Sequence, residues 1–234
     1  MTAHQGLRVI LTGAGSGIGK RAAERLQLEG ADVIGIDIAE AATAFELLRA
    51  DVAVEHEVVS AMAHAAATLG GLDAVVNAAG TGHPMRLENL DVAVFDRLMA
   101  VNTRGAAIVA REALRYFGGS GRIVNIASEM AYLGRSGSSV YSATKAALIS
   151  LTRSWARELA PGILVNAIAP GPIDTPLLGF DTLTPEQQVL ETSIPLRRIG
   201  TADEVAEAVL FLLHPRVGFI TGQCISIDGG AAMH

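Results

Sequence analysis

Apolar residues fall along the chain in two alternating textures. Short runs rich in Val and Ile have the length of buried strands: "LRVILT" (7–12), "DVIGID" (32–37), "DAVVN" (73–77), "RIVNIAS" (122–128), "ILVNAIAP" (163–170) and "QCISID" (223–228). Between them, Val54, Val58, Met62, Ala65 and Leu69, and later Val205, Val209 and Leu212, recur every three or four residues and so form one apolar helix face. Near-continuous apolar strands need cover on both sides. The alternation therefore predicts an α/β fold with right-handed βαβ units, a mostly parallel sheet and helices on both of its faces. One stretch breaks the rhythm, from Pro170 to about Gly200, with Pro172, Pro176, Pro185 and Pro195 inside it. Within it "TPEQ" offers Thr184 as N-cap, Pro185 at the first helical position and Gln187 to close a capping box. The spacing predicts a short helix there, in an excursion suited to act as a lid at about 174–195.

Composition narrows the class. A chain of 234 residues, half of them apolar, can bury one large core, and no linker, repeat or low-complexity tract divides it. The net charge of −6, with no basic run, argues against a nucleic-acid partner. Cys224 is the only cysteine, which excludes an internal disulfide. The opening "MTAHQGLRVILTG" lacks the pattern of a secretory leader, and no apolar run reaches the roughly 20 residues of a membrane span. The expectation is a cytoplasmic protein with no membrane association. His4, His56, His64, His83, His214 and His234 show no metal-ligand spacing, so no metal is expected.

Two local patterns carry chemistry. Directly after the first strand, "TGAGSGIG" (12–19) sets glycines at 13, 15, 17 and 19 and opens a helix. Missing Cβ atoms let the backbone turn tightly and let a pyrophosphate approach the helix N-terminus, where free N–H groups and the dipole favour an anion. Asp37 ends the second strand eighteen residues after Gly19, placed to accept from the hydroxyls of an adenosine ribose. A 2′-phosphate would meet like charge there, and Ser16 and Ile38 supply no compensating base. The expected cofactor is NAD rather than NADP. Further on, "YSATK" (141–145) puts a phenol and an ammonium one helical turn apart on a shared face.

These motifs, with "DV" at 51–52, "NAAG" at 77–80, Asn102, Ser128 and "PGPIDT" at 170–175, stand in an order that resembles the short-chain dehydrogenase/reductases of the classical type over nearly the whole chain. The resemblance implies a single Rossmann-type, doubly wound domain with a seven-stranded sheet, reversible hydride transfer between a nicotinamide and an alcohol or carbonyl carbon, and a homotetramer. It also implies site residues. Gly13, Ser16, Gly17, Ile18 and Gly19 would bind the cofactor with Asp37; Asp51 and Val52 would meet the adenine. Asn77, Ala78, Ala79 and Gly80 would line the ribose, although the family more often has a second Asn at position 78. Ile173 and Thr175 would meet the carboxamide or diphosphate. Because the segment from Asp37 to Asp51 is short, its helix is expected to shrink to a turn or two.

The implied catalytic set is Asn102, Ser128, Tyr141 and Lys145, and each has a physical use. A phenol titrates near 10, so general-base work at neutral pH needs a shift of two to three units, roughly 3–4 kcal/mol. An ammonium close by, together with the charge of an oxidised nicotinamide, is expected to supply it, and Lys145 also to reach the nicotinamide ribose. Ser128, thirteen residues before Tyr141, would donate to the substrate oxygen. Asn102 would hold a water linking Lys145 to solvent, through its side chain or a local backbone distortion. The reading is an NAD-dependent oxidoreductase of secondary alcohols and ketones. An NADP-dependent carbonyl reductase is the alternative, and a non-turning-over dinucleotide-binding scaffold or redox sensor the further one. Glu129 and His83 border the expected cleft; as residues beside loops both are expected to be exposed.

Overall fold

The computed structural model describes residues 4–233; His234 and the first three residues of the opening segment read above lie outside the described residues. The first half runs β1 (Arg8–Thr12), α1 (Gly17–Leu28), β2 (Asp32–Asp37), β3 (Glu46–Arg49), α2 (Glu55–Leu69), β4 (Leu72–Asn77), α3 (Val92–Met99) and α4 (Ala106–Ala113). The second runs β5 (Phe117–Ile126), α5 (Met130–Leu133), α6 (Ser139–Leu159), β6 (Ile163–Pro170), β7 (Ile173–Asp174), α7 (Pro185–Thr192), β8 (Gly200–Thr201), α8 (Ala202–Leu213) and β9 (Cys224–Ile227). Seven parallel strands form one sheet in the order β3-β2-β1-β4-β5-β6-β9. The short β7 and β8 pair separately.

Alternation along β1 sorts the layers, because successive side chains point to opposite faces. Val9 and Leu11 pack with Ala22, Ala23 and Leu26 of α1 and with Val205, Val209 and Leu212 of α8. Ile10 joins Val58, Met62 and Ala65 of α2 and Val109 of α4 on the other face. Burial of these side chains, the Val, Leu, Ile and Met among them each contributing about 1.5–3 kcal/mol, drives the sandwich of helix, sheet and helix. The periodic positions in α2 and α8 thus sit where their spacing placed them.

The strands of the seven-stranded sheet were found in the sequence with one omission, and the two-residue β7 and β8 were not read. Strand β3, "ELLR", is a four-residue edge strand with two exposed ends, so it carries no apolar run to detect. Residues 38–45 contain no helix, so the connection is shorter than the turn or two expected. Strand order reverses between β1 and β4, and there the loops that follow both strands leave on opposite sides and open a crevice. In the excursion, Thr184 accepts from the Gln187 N–H at 3.3 Å while the Gln187 side chain accepts from the Thr184 N–H at 2.9 Å, the capping box read from "TPEQ".

Candidate active site

The glycine loop fills the mouth of that crevice. Gly13 has φ +67°, and a Cβ there would lie 2.7 Å from the Ala79 amide nitrogen. A Cβ on Gly19 would collide with the Gly13 carbonyl oxygen. Only glycine permits this closeness of loop, helix and neighbouring strand end. Ser16 caps α1 in extended conformation without a side-chain bond and is exposed, while Ile18 packs against the sheet. Asp37 leans back onto the loop: its Oδ2 accepts from the Gly15 N–H at 2.8 Å and its Oδ1 from the Ala39 N–H at 2.9 Å. Thr175 stands opposite, 3.4 Å from where a Cβ on Gly17 would be, and Ile173 is buried beside it.

Asp51 is engaged more fully than its sequence position suggested. Its Oδ2 pairs with Arg97 of α3 at 2.9 Å and its Oδ1 accepts from the Ala53 N–H at 2.9 Å, leaving one lone pair on each oxygen for a ligand. Val52 is buried against Gly105. Asn77 is also buried, and its Nδ2 donates to Asn125 Oδ1 at 2.9 Å; Asn125 in turn donates to Thr152 Oγ1 at 2.9 Å, and Thr152 to the Leu148 carbonyl at 2.8 Å. This line of bonds runs from β4 through β5 to α6. Ala78 and Ala79 press against Gly13, and the Ala79 N–H donates to Thr12 Oγ1 at 3.2 Å.

Asn102, Ser128, Tyr141 and Lys145 converge on the same side. Asn102 lies in a π-helical turn, Ala100–Gly105, wedged between α3 and α4. Fully buried, its Oδ1 accepts from the Thr81 N–H at 2.8 Å, and its Nδ2 donates to the Thr81 carbonyl at 2.9 Å and to Thr144 Oγ1 at 3.1 Å. Lys145 is buried too, its Nζ donating to the Ile126 carbonyl at 2.8 Å. Burial lowers its pKa to about 8, which still leaves it largely charged at neutral pH. Its Nζ is 5.7 Å from the centre of the Tyr141 ring. Position 80 keeps this corner open, since a Cβ there would sit 3.3 Å from Lys145 Nζ and 3.5 Å from Asn102 Oδ1.

Ser128 stands two residues past the end of β5, buried, with the Met130 N–H donating to its oxygen at 3.2 Å. With the chain's own groups alone, Tyr141 is a weaker acid than a free phenol. Burial raises its pKa, a hydrogen bond with the Ser128 hydroxyl partly opposes this, and the Glu129 charge adds to it. Desolvation is thus the largest influence on the phenol, and the Lys145 ammonium is engaged by the Ile126 carbonyl. Glu129 departs from the sequence reading as well: it is only 8 % exposed. His83, by contrast, is exposed.

Residues 13–232 match a family model described as enoyl-(acyl carrier protein) reductase. The fold superimposes on a short-chain dehydrogenase from Burkholderia cenocepacia J2315 in complex with NADP, with a TM-score of 0.92 and 35 % identity over 98 % of this chain and 99 % of that one. The chain belongs to the short-chain dehydrogenase/reductase family. As a short-chain dehydrogenase/reductase it is an oxidoreductase that uses a nicotinamide dinucleotide and acts on an alcohol or ketone. It is also similar to cis-4-hydroxycyclohexanecarboxylate dehydrogenase of Sinomonas cyclohexanicum, 39 % identical over 94 % of each chain. A third likeness is to the 3-ketoacyl-(acyl-carrier-protein) reductase of Brucella melitensis complexed with NADH, with a TM-score of 0.91 and 34 % identity over 98 % and 99 % of the two chains. In this short-chain dehydrogenase/reductase the sequence reading passed over Asn125, Thr144 and Thr152. The signal for Asn125 was present: it is a lone amide in an apolar strand, directly across the register from Asn77.

Proposed function

We propose that the protein is an NAD-dependent dehydrogenase/reductase that interconverts a secondary alcohol and its ketone. The observation that carries the cofactor choice is Asp37, whose carboxylate closes the ribose end of the glycine loop between the uncharged Ser16 and Ile38. The donor set fits a dinucleotide. Backbone N–H groups from Gly13 to Gly19 and the N-terminus of α1 would hold the pyrophosphate, and Asp37 the adenosine ribose. Asp51 and Val52 would meet the adenine, and Asn77, Ala78, Ala79 and Gly80 would border the ribose. Ile173 and Thr175 would meet the carboxamide, and Tyr141 and Lys145 the nicotinamide ribose. When bound, the dinucleotide supplies the acceptor or donor of a hydride.

The chain's own residues handle the proton. In oxidation Tyr141 takes the proton from the substrate hydroxyl; in reduction it returns one to the carbonyl oxygen. Ser128 donates to that oxygen and holds the carbon in place. Lys145 stabilises the phenolate, and its position beside Gly80 couples this charge to cofactor placement. Both N–H groups of the Asn102 amide are used and its Oδ1 already accepts one bond, so its contribution to a proton relay would run mainly through a carbonyl released by the π-helical turn. Leu177, 3.7 Å from the Cβ position at Gly82, with Tyr141 4.0 Å from the same point, supports residues 174–195 as a lid over one catalytic domain.

One observation favours NADP instead. Arg49 lies across from Asp37 in the β2–β3 register, where a guanidinium would suit a 2′-phosphate. Initial rates with both cofactors decide between them, and a strong preference for NADP overturns the reading of Asp37. A panel of alcohols and ketones followed by nicotinamide absorbance tests the chemistry. Tyr141→Phe is expected to abolish turnover while calorimetry records cofactor binding that is largely retained; binding with no hydride transfer by wild type would favour a scaffold. Assembly as a homotetramer fits the exposed Val92 and Phe95 on α3 and is checked by light scattering. Among the described residues no helix is long and apolar enough to cross a membrane, and a cytoplasmic setting is part of the same proposal.

A further inference from the structure

The excursion at 174–195 is fastened at its two ends. At the near end Thr175 and Pro176 lie against the glycine loop, 3.4 Å and 3.9 Å from where a Cβ on Gly17 would be. At the far end Ile194 and Pro195 stand 2.8 Å and 3.0 Å from the Cβ positions of Gly229 and Gly230, and the Leu196 N–H donates to the Gly229 carbonyl at 3.1 Å. Between Leu177 and Ser193 a single residue is buried, and it is an acid. On α7 the apolar Val189 and Leu190 are 64 % and 56 % exposed, whereas Glu191 is 9 % exposed. A helix docked by its apolar face would show the reverse. The partner of Glu191 is a cation from the body of the fold: Arg135, in the loop between α5 and α6 and six residues before Tyr141, donates from Nη1 to Glu191 Oε1 at 2.6 Å. Among the described residues this is the one side-chain hydrogen bond or ion pair that joins residues 177–193 to the rest of the chain.

We propose that Arg135 and Glu191 are positioning residues that latch the lid, one charged pair by which the loop leading into the Tyr141 helix holds α7 against the body. The inference rests on residues 174–195 acting as the lid of the proposed function. A charge-assisted bond between a guanidinium and a carboxylate has a narrow geometry, so it fixes the lid in one place while it lasts. It is also a single contact. Because α7 has no buried apolar side chain to strip from the body, the lid can lift when this pair breaks and leave the core undisturbed. Closure keeps Leu177 beside Gly82 and Tyr141, so the pair sets how tightly a substrate is enclosed.

Amide hydrogen exchange of the full chain, followed by mass spectrometry, reads the latch without a substrate. In Arg135→Met the amides of residues 185–193 are expected to exchange about tenfold faster than in wild type, with β4, β5 and α6 unchanged. Arg135→Lys and the reversed pair Arg135→Glu/Glu191→Arg should each restore most of that protection. Unchanged exchange across 185–193 in a natively folded Arg135→Met protein overturns the proposal. Faster exchange throughout the chain overturns it too, because the pair would then hold the fold and not the lid. So does failure of both restoring variants, since lost packing of the arginine stem would explain the loosening. Should Arg135→Met not fold, Glu191→Gln, which removes only the charge on α7, is read in the same way. On any substrate that turns over, KM in Arg135→Met should rise about tenfold while kcat stays within about twofold; a fall in kcat at unchanged KM would place Arg135 in the chemistry and refute the latch. Absence of turnover on the whole panel together with loosened residues 185–193 would remove the proposed function and leave the latch standing.

Discussion

Asp37 and Glu129 both lie beyond the carboxyl edge of one sheet, yet the fold treats the two carboxylates in opposite ways. Each oxygen of Asp37 accepts a backbone N–H, from Gly15 and from Ala39. Glu129 keeps a buried oxygen without a partner among the described residues, facing two further acids and a guanidinium already in use. The first corner is made of backbone, with glycines at fixed offsets, and any chain carrying that spacing can build it. The second is made of side chains from four distant segments. One corner is organised to receive a ligand, and the other to hold a charge in tension with its surroundings.

The largest expected break lies in the catalytic corner. Lys145→Met removes the ammonium while keeping a buried side chain of similar length, and turnover should drop about 10³-fold. A loss under tenfold by steady-state rates would deny Lys145 its electrostatic role. Next is a stability effect of Glu129. Its pKa rises from an ordinary 4.5 to about 7, so between those values the folded chain keeps a proton that the unfolded chain has released. Stability from this group is therefore full below pH 4.5 and declines as pH rises through 7, by about 3 kcal/mol in all. Glu129→Gln should lack that slope, and parallel urea unfolding curves for the two proteins at pH 5 and 7.5 would contradict it.

Smaller effects probe the backbone-built corner and the excursion. Asp37→Asn removes the like charge facing a 2′-phosphate, and the ratio of kcat/KM for NAD over NADP should fall about 10- to 100-fold. Arg49→Gln sharpens this result: a fall in NADP use would identify Arg49 as the phosphate partner. Thr184→Ala opens the capping box of α7 at a cost of about 1 kcal/mol. Faster amide exchange at Gln187 with an unchanged global unfolding midpoint is the expected signature, and uniform protection would show that the cap is dispensable.

The same contrast explains what could be read in advance. Strands β1, β2, β4, β5 and β6 carry Val- and Ile-rich runs because both faces are covered, so their chemistry is continuous along the chain; β9, at the other edge, was found from the shorter run around Ile225 and Ile227. Edge strand β3 has neighbours on one side only and needs no such run, which hid it. Gly13, Gly19 and Asp37 were found through local spacing, and Ser128, Tyr141 and Lys145 through ordered motifs. Burial of Glu129 was missed because it depends on Arg135, Glu191 and Asp228, whose approach is fixed by tertiary packing and leaves no periodic trace. The upward pull of burial on Tyr141 left no trace either: spacing located the ammonium but gave no measure of how deeply both groups would be enclosed.

The line of bonds from Asn77 through Asn125 to Thr152 has a mechanical meaning for the helix that carries Tyr141 and Lys145. Sliding β5 by one residue would swing Asn125 to the opposite face and break the amide–amide bond and the bond to Thr152 inside the core, a penalty that ordinary apolar contacts would not impose. Aliphatic packing tolerates small slips; directional bonds do not. The phenol therefore inherits its placement from a polar ruler inside the sheet, laid down some distance from any atom it touches.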